Sequence, residues 1–415
     1  MYTLAIDLGT TTLAVSLIDC ISGKRIAMSG AMNPQRRFGA DVVSRLDAAV
    51  HSADCAREMT ELIRSELAEL AAALCRKTAI AWSDVQQIAI AGNPAMQHIL
   101  MGLPLKSLAF PPFRPLYTGG TRLNANDLGW AGAADVYIFP MPGGFVGGDT
   151  VAFLYGQMNQ GQEPGQTLFL DMGTNGEMAL LAEKTIWATS AAAGPAFEGG
   201  NLSCGMAALP GAISSVRIED DRVKLQVIGN GNPVGICGSA AIETISELLR
   251  RDILEPGGRL KEAAEIPSNL ASRLITHQGA NVFILYRDAQ RLLYISQDDI
   301  RQVQLAKGAI RAGIEVLLER SHSQCQTLQN VVLTGSFGAV LRPEWLKTIG
   351  IFDDNMVHIS RFTPEGALSG AELALILNDR FATVEELAER IRVVPLSGTP
   401  LFETKFMHHI DFPNF

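Results

Sequence analysis

Ile6-Asp7-Leu8-Gly9-Thr10-Thr11-Thr12, and Leu170-Asp171-Met172-Gly173-Thr174-Asn175-Gly176 starting 164 residues later, decide how this chain folds. Each string places an aspartate at the end of an apolar run, follows it with glycine and threonine, and enters a second run. Tyr2–Ile6 and Leu13–Ile18 flank the first; Thr167–Leu170 and Glu177–Leu181 flank the second. Such a strand–turn–strand lets backbone N–H groups approach a phosphate, because glycine puts no side chain in the way. The aspartate beside it is a hard oxygen ligand that suits Mg²⁺, a cation that keeps part of its hydration shell. Either aspartate alone reads better as a strand-end carboxylate held by turn amides. The matched contexts instead suggest a nucleotide clamped between two similar halves. Asp7 and Asp171 are then metal residues, and Gly9, Thr10, Thr11, Thr12, Gly173, Thr174 and Asn175 surround the phosphates.

The rest of the composition fits this picture. At 415 residues the chain can hold two domains with full cores, and 47% hydrophobic against 19% charged residues is globular rather than disordered. A net charge of −9 without a basic, aromatic-interleaved run argues against nucleic acid, and an anionic surface argues against acidic membranes. No apolar stretch reaches transmembrane length, and Asp7 interrupts what would have to be the core of a signal peptide, so a cytoplasmic location is expected. Cys20, Cys55, Cys75, Cys204, Cys237 and Cys325 are scattered and form no C-x-x-C pair. They read as six buried thiols in a reducing compartment, with no iron–sulfur cluster on this chain.

Along the chain, Asn33-Pro34-Gln35 reads as a turn before a charged segment, Arg36 to Arg45, and Met59, Leu62, Ile63, Leu67, Leu70 and Leu74 recur at helical spacing within Ala53–Arg76. Gln87–Ala91 is a strand ending in the turn Gly92-Asn93-Pro94. Phe110–Pro115 is an irregular loop, and Val136–Pro140 is a strand leading to Gly143, Gly144, Gly147, Gly148 and Asp149. Between Gly156 and Gln166 a polar, Gly-rich stretch marks the domain boundary. This gives a first domain over 1–160, a second over 161–365, and a connecting helix with a C-terminal segment over 366–415. Strand Val223–Ile228, helix Ala240–Leu249, a capped helix near Gln297–Arg320 and strand Val331–Leu333 complete the second half.

Several motifs carry chemistry with a blander reading beside it. Asp149 opens a helix, and capping is the simpler role, with a catalytic carboxylate as its rival. Glu177, directly after the second turn, is well placed to orient a water, and Glu198 lies on the loop Gly194–Gly200. Gly235–Ala241 puts small residues at a helix N-terminus, a ready anion site, with Cys237 as packing. Lys307 and Arg311 stand at i, i+4 on a helix that buries Leu305, Ala309 and Ile310; they suit either an anionic or stacking partner or solvent. Gly335, Ser336 and Gly338 form a third glycine turn, 164 residues beyond Asp171, fit for a flat nucleoside or for a plain tight turn.

The order of two phosphate turns and a nucleoside turn resembles the actin, sugar-kinase and heat-shock-chaperone ATPase superfamily. That resemblance implies an α/β chain of two ribonuclease-H-like domains with a nucleotide cleft between them, and Gly366–Ala374 as the second connecting helix. A narrower resemblance runs over nearly the whole chain. NPQRRFGADVVSRL, AGNPAMQHILMGL, VGGD, LDMGTNGE, AAAGPAFEGG, GICGSAA, QLAKGAIRAGIEVLL and the ending FMHHIDFPNF are similar to the reductive activators of corrinoid-dependent enzymes. It implies an ATPase that uses ATP and Mg²⁺ to help return an inactive cob(II)alamin protein to cob(I)alamin in a methyltransferase system. Catalytic duty then falls on Asp171 with Glu177 or Asp149, and the nucleoside faces Lys307, Arg311, Gly335 and Ser336. The partner is a corrinoid protein, and a homodimer stays open. Family members carry an iron–sulfur ferredoxin-like domain. Here the first ATPase strand is expected from Thr3 and the sequence offers no cluster-binding cysteines, so electrons are expected from a separate ferredoxin-like donor or from a removed domain. A small-molecule kinase of the same fold, a chaperone or filament protein, and a nucleotide-gated binding module remain the alternatives.

Overall fold

The computed structural model describes residues 1–159, 165–335, 341–377, 379 and 381–414. The chain divides into two compact units. The first comprises Met1–Pro164, Leu181–Thr189 and Glu365–Val394, the second Gly165–Leu180, Ser190–Pro364 and Pro395–Phe415.

In the first unit, β1 (Tyr2–Leu8), β2 (Thr12–Asp19), β3 (Lys24–Met32), β4 (Val85–Gly92), β5 (Thr121–Asn124) and β6 (Asp135–Ile138) form one sheet in the order β3-β2-β1-β4-β6-β5. β1 lies at its centre, antiparallel to β2 and parallel to β4, and Leu4, Ala5 and Ile6 are fully buried as a strand covered on both faces requires. Helices α1 (Val42–His51), α2 (Ala53–Thr78), α3 (Pro94–Met101), α4 (Lys106–Ala109) and α5 (Gly148–Met158) belong to the same unit. α2 follows the heptad-like apolar spacing: Met59, Ile63, Leu67, Ala71 and Leu74 line its buried face against the sheet. The charged segment Arg36–Arg45 is largely helical. A short 3₁₀ turn, Pro34–Phe38, leads to α1, whose N-cap Asp41 forms a capping box with Ser44.

β7 (Thr167–Met172), β8 (Gly176–Ala182) and β9 (Thr185–Ala191) open the second sheet. β10 (Ala212–Glu219), β11 (Arg222–Val227) and β12 (Gly235–Ile236) form a small three-stranded sheet, followed by α6 (Gly238–Arg250). β13 (Leu274–His277), β14 (Ala280–Arg287) and β15 (Leu292–Ser296) form another, followed by α7 (Gln297–Arg320). β16 (Asn330–Thr334), α8 (Pro343–Thr348), α9 (Asp354–Ile359) and β17 (Ser360–Phe362) come next. They are followed by α10 (Gly366–Ile376), α11 (Ala382–Glu389), β18 (Ile391–Val393) and α12 (Pro400–His408). The second large sheet has the order β17-β16-β7-β8-β9-β18.

Two expectations need correction here. Only Cys75 and Cys237 are buried; Cys20, Cys55, Cys204 and Cys325 are partly exposed, because they sit at a strand exit, a first helical turn and loop edges rather than in core layers. On α7, Leu305 is 38% exposed whereas Lys307 is 1% exposed, so the buried face is turned away from Leu305. The reason is a partner for the cation: Lys307 Nζ donates to the Asp411 carbonyl and stands 5.3 Å from the centre of the Phe412 ring.

Candidate functional site

The first turn, between β1 and β2, is tight enough that a Cβ on Gly9 would collide with the Thr12 carbonyl oxygen. Asp7, one residue before the end of β1, is in register with Ala14 and Ala91. Its carboxyl is raised to about 7 by burial, and then by the negative charges of Asp149 and Glu365. Asp149 is raised to about 6, mainly by burial, with hydrogen bonds from the Thr150 N–H (2.7 Å) and hydroxyl working the other way. Gly147, not Asp149, caps α5, so the capping role expected for Asp149 gives way to a carboxylate in the first turn of the helix whose charge acts on Asp7. Gly147 is needed there because any Cβ would stand 2.6 Å from the Gly92 carbonyl oxygen and 2.7 Å from Asn93 Cα. Glu365, which precedes α10 in a left-handed conformation (φ 52°), is a member of this acidic group that the sequence did not reveal. Arg25 holds it at 2.6 Å and Glu372 at 2.7 Å. Asp7, destabilised as an anion by burial and by the charges of Asp149 and Glu365, is a hard oxygen ligand that suits a divalent cation, directly or through its water. Among the described residues no three His, Cys, Asp or Glu side chains converge closely enough to ligate a metal without water.

The second turn, between β7 and β8, has Asp171 opposite Thr334 of β16. Gly335 therefore leaves β16 beside the Asp171 end of β7, which brings two of the sequence-selected residues together within one unit. Gly173 N–H donates to the Asn175 carbonyl at 3.0 Å, closing the turn. Thr174 donates its hydroxyl to Glu198, a contact the sequence gave no sign of because 24 residues separate the two. Glu177 is 9% exposed and accepts a hydrogen bond from Ser190 Oγ at 3.3 Å. The α6 N-terminus packs on the Phe197 carbonyl, which a Cβ on Gly238 would overlap. Cys237 is buried there beside Ser239 Oγ at 3.2 Å, as packing.

Lys307 and Arg311 have partners from the chain itself. Arg311 pairs with Asp353 at 3.1 Å and Glu315 at 3.2 Å and donates to the Ile351 carbonyl. Burial lowers Lys307 to about 8. Ser336 and Gly338 lie outside the described residues, as does part of the Gly156–Gln166 stretch. No helix among the described residues is long and apolar enough to cross a membrane.

Comparison with known proteins identifies the family and the fold. A family profile described as "C-terminal domain of RACo the ASKHA domain" matches residues 165–415, and "RACo middle region" matches residues 2–160. The corrinoid activation enzyme RamQ of Eubacterium limosum is 30% identical over 99% of this chain and 70% of its own length. The [Co(II) methylated amine-specific corrinoid protein] reductase of Methanosarcina barkeri is 26% identical over 94% of this chain and 73% of its own. The solved structure of a reductive activator for corrinoid, iron–sulfur protein superposes with a TM-score of 0.90 at 29% identity, covering all of this chain and 66% of the other. The chain thus spans about two thirds of that activator. The fold is that of the actin-like ATPases, with two ribonuclease-H-like domains, and the chain belongs to the RACo family of corrinoid reductive activators.

Proposed function

We propose that this chain is the ATPase core of a system that returns a corrinoid protein from cob(II)alamin to cob(I)alamin. The observation that carries the proposal is the repeated Asp-Gly-Thr turn, one in each unit, on a chain that aligns along its whole length with a corrinoid activator. Gly9, Thr10, Thr11 and Thr12 in the first unit, and Gly173, Thr174 and Asn175 in the second, offer backbone and hydroxyl donors to ATP phosphates. Asp7 and Asp171 would hold Mg²⁺ through its water, and Glu177 or Asp149 would orient the attacking water. Mg²⁺, when bound, neutralises phosphate charge as the bond to the terminal phosphate breaks. Gly335 and Ser336 would face the nucleoside. Lys307 and Arg311 would shape that side through the segments they fix, Asp411–Phe412 and Ile351–Asp353.

The electron comes from a ferredoxin-like iron–sulfur donor: cob(II)alamin gains one electron and the reduced cluster loses one. Binding by the activator shifts that equilibrium only through differential affinity for the two cobalt states, and ATP turnover then releases the complex. A tenfold preference for one state is worth about 1.4 kcal/mol. The test is steady-state ATP hydrolysis and pull-down with the corrinoid protein poised as cob(II)alamin or as methylcobalamin. The cob(II)alamin form should bind more tightly and accelerate hydrolysis. Equal binding with an unchanged rate would overturn the proposal and favour a small-molecule kinase of the same fold.

A further inference from the structure

Two Asn-Pro dipeptides, Asn33-Pro34 and Asn93-Pro94, read from sequence as plain turns, meet beneath the first phosphate turn. Each asparagine is an N-cap with proline directly after it, and each is buried, Asn33 at 0% and Asn93 at 6% exposure. The side-chain oxygens do the capping: Asn33 Oδ1 accepts from Gln35 N–H at 2.9 Å, and Asn93 Oδ1 accepts from Met96 N–H at 3.1 Å. The side-chain amides do something else. Asn33 Nδ2 donates to the Gly9 carbonyl at 2.9 Å, and Asn93 Nδ2 donates to Thr10 Oγ1 at 2.9 Å.

We propose that Asn33 and Asn93 are positioning residues that aim both donors of Thr10 at a phosphate oxygen. In a trans peptide the C=O and the following N–H point in opposite directions. With the Gly9 carbonyl drawn toward Asn33, the Thr10 N–H is turned to the opposite side of the peptide. The Thr10 hydroxyl already accepts from Asn93, so its proton is directed outward to an acceptor. The two asparagines thereby convert a threonine that could either donate or accept into one that presents two donors, the requirement of an anion. The close approach of Gly147 to Gly92 and Asn93 fixes Asn93 at that distance. This inference rests on the turn being a phosphate site.

The test uses Asn33→Ser and Asn93→Ser, which keep a capping oxygen and neutrality but lack the amide donor, with Mg·ATP titrated calorimetrically and melting recorded in parallel. Each should weaken Mg·ATP binding about tenfold, the upper range for one neutral hydrogen bond, with little change in melting. Thr10→Val should abolish the further effect of Asn93→Ser, because the hydroxyl being aimed is gone. If either serine variant misfolds, Asn33→Asp and Asn93→Asp, which preserve the caps, take its place and should weaken binding at least as much. Wild-type binding with unchanged affinity in the variants, or additivity of Thr10→Val and Asn93→Ser, would overturn the positioning role alone. A wild-type chain that does not bind Mg·ATP would overturn the phosphate reading and this inference with it.

Discussion

Replacing Asp7 with asparagine should make the ligand-free protein more stable while weakening its grip on Mg·ATP. Asp7 is raised from 3.8 to about 7 by burial, Asp149 and Glu365. Between those two pH values the folded state therefore binds more protons than the unfolded chain. Stability contributed by the neutral form is complete below pH 3.8, falls as pH rises through the window, and is gone above about pH 7. At about 1.4 kcal/mol per pK unit the shift amounts to about 4 kcal/mol as a ceiling, and the partial exposure of Asp7 brings the expected penalty to about 2 kcal/mol. The Asp149 charge is part of what raises Asp7, so Asp7→Asn also removes that repulsion. At about 2–4 °C per kcal/mol for a domain of 150–250 residues, the variant should melt about 4–8 °C above wild type at pH 8 and level with it near pH 4. Adding Mg²⁺ should raise wild-type melting at pH 8 and leave the variant unmoved. Scanning calorimetry at both pH values, with and without Mg²⁺, supplies the measurement. A variant that melts no higher than wild type at pH 8, or whose advantage persists at pH 4, would show that the acidic group is not strained in the way the geometry implies.

Two further substitutions test the packing. Gly370→Ala should lower the melting temperature of the first unit by several degrees, because its Cβ would overlap the Ala152 carbonyl where α10 crosses α5, and overpacking costs about 1–3 kcal/mol or more; unchanged melting would mean that the two helices separate freely. Lys307→Met should remove a rise in stability between about pH 8 and pH 10.5: the lysine's pKa falls from 10.5 to about 8 on folding, so the unfolded chain binds more protons in that window and wild type gains stability with pH. Denaturant titration of both proteins at pH 7.5 and pH 10 should show the difference, and parallel pH dependences would contradict the buried position of the Lys307 ammonium.

Much of the fold was legible where one physical signal dominated. The α2 stripe of Met59, Ile63, Leu67 and Leu74 can only be a helix covering an apolar surface, and the Ser296–Asp299 capping box marks the start of α7 at the residue. The strands β3, β9 and β10 left weaker traces. β3 alternates small and half-exposed residues, Ala27, Ser29, Gly30 and Ala31 among them, so its identity comes from pairing with β2 rather than from its own hydrophobicity. Leu305 and Lys307 exchanged places for a related reason. Periodicity ranks residues by polarity, but a long amphipathic side chain can be buried when a carbonyl and a ring wait for its ammonium, and both come from the C-terminal segment about 100 residues later.

The candidate site shows where local reading stops. Asp7 and Asp171 announce themselves because each motif is complete within seven residues. Glu365 does not: its effect on Asp7 depends on the chain returning to the first unit after 358 residues, and nothing in Pro364-Glu365-Gly366 signals that return beyond the helix that follows. Thr174 and Glu198 meet across a loop in the same way. The asparagines lie between these cases. Asn-Pro is a strong cap signal, and capping accounts for one side-chain atom of each residue. What remained unread was the second atom. A cap needs only an acceptor, so serine, threonine or aspartate would serve at both positions. Asparagine alone among them also offers an amide donor pointing the opposite way. Using it twice beneath one turn makes sense only if the turn itself, and not the helices, is what must be held still.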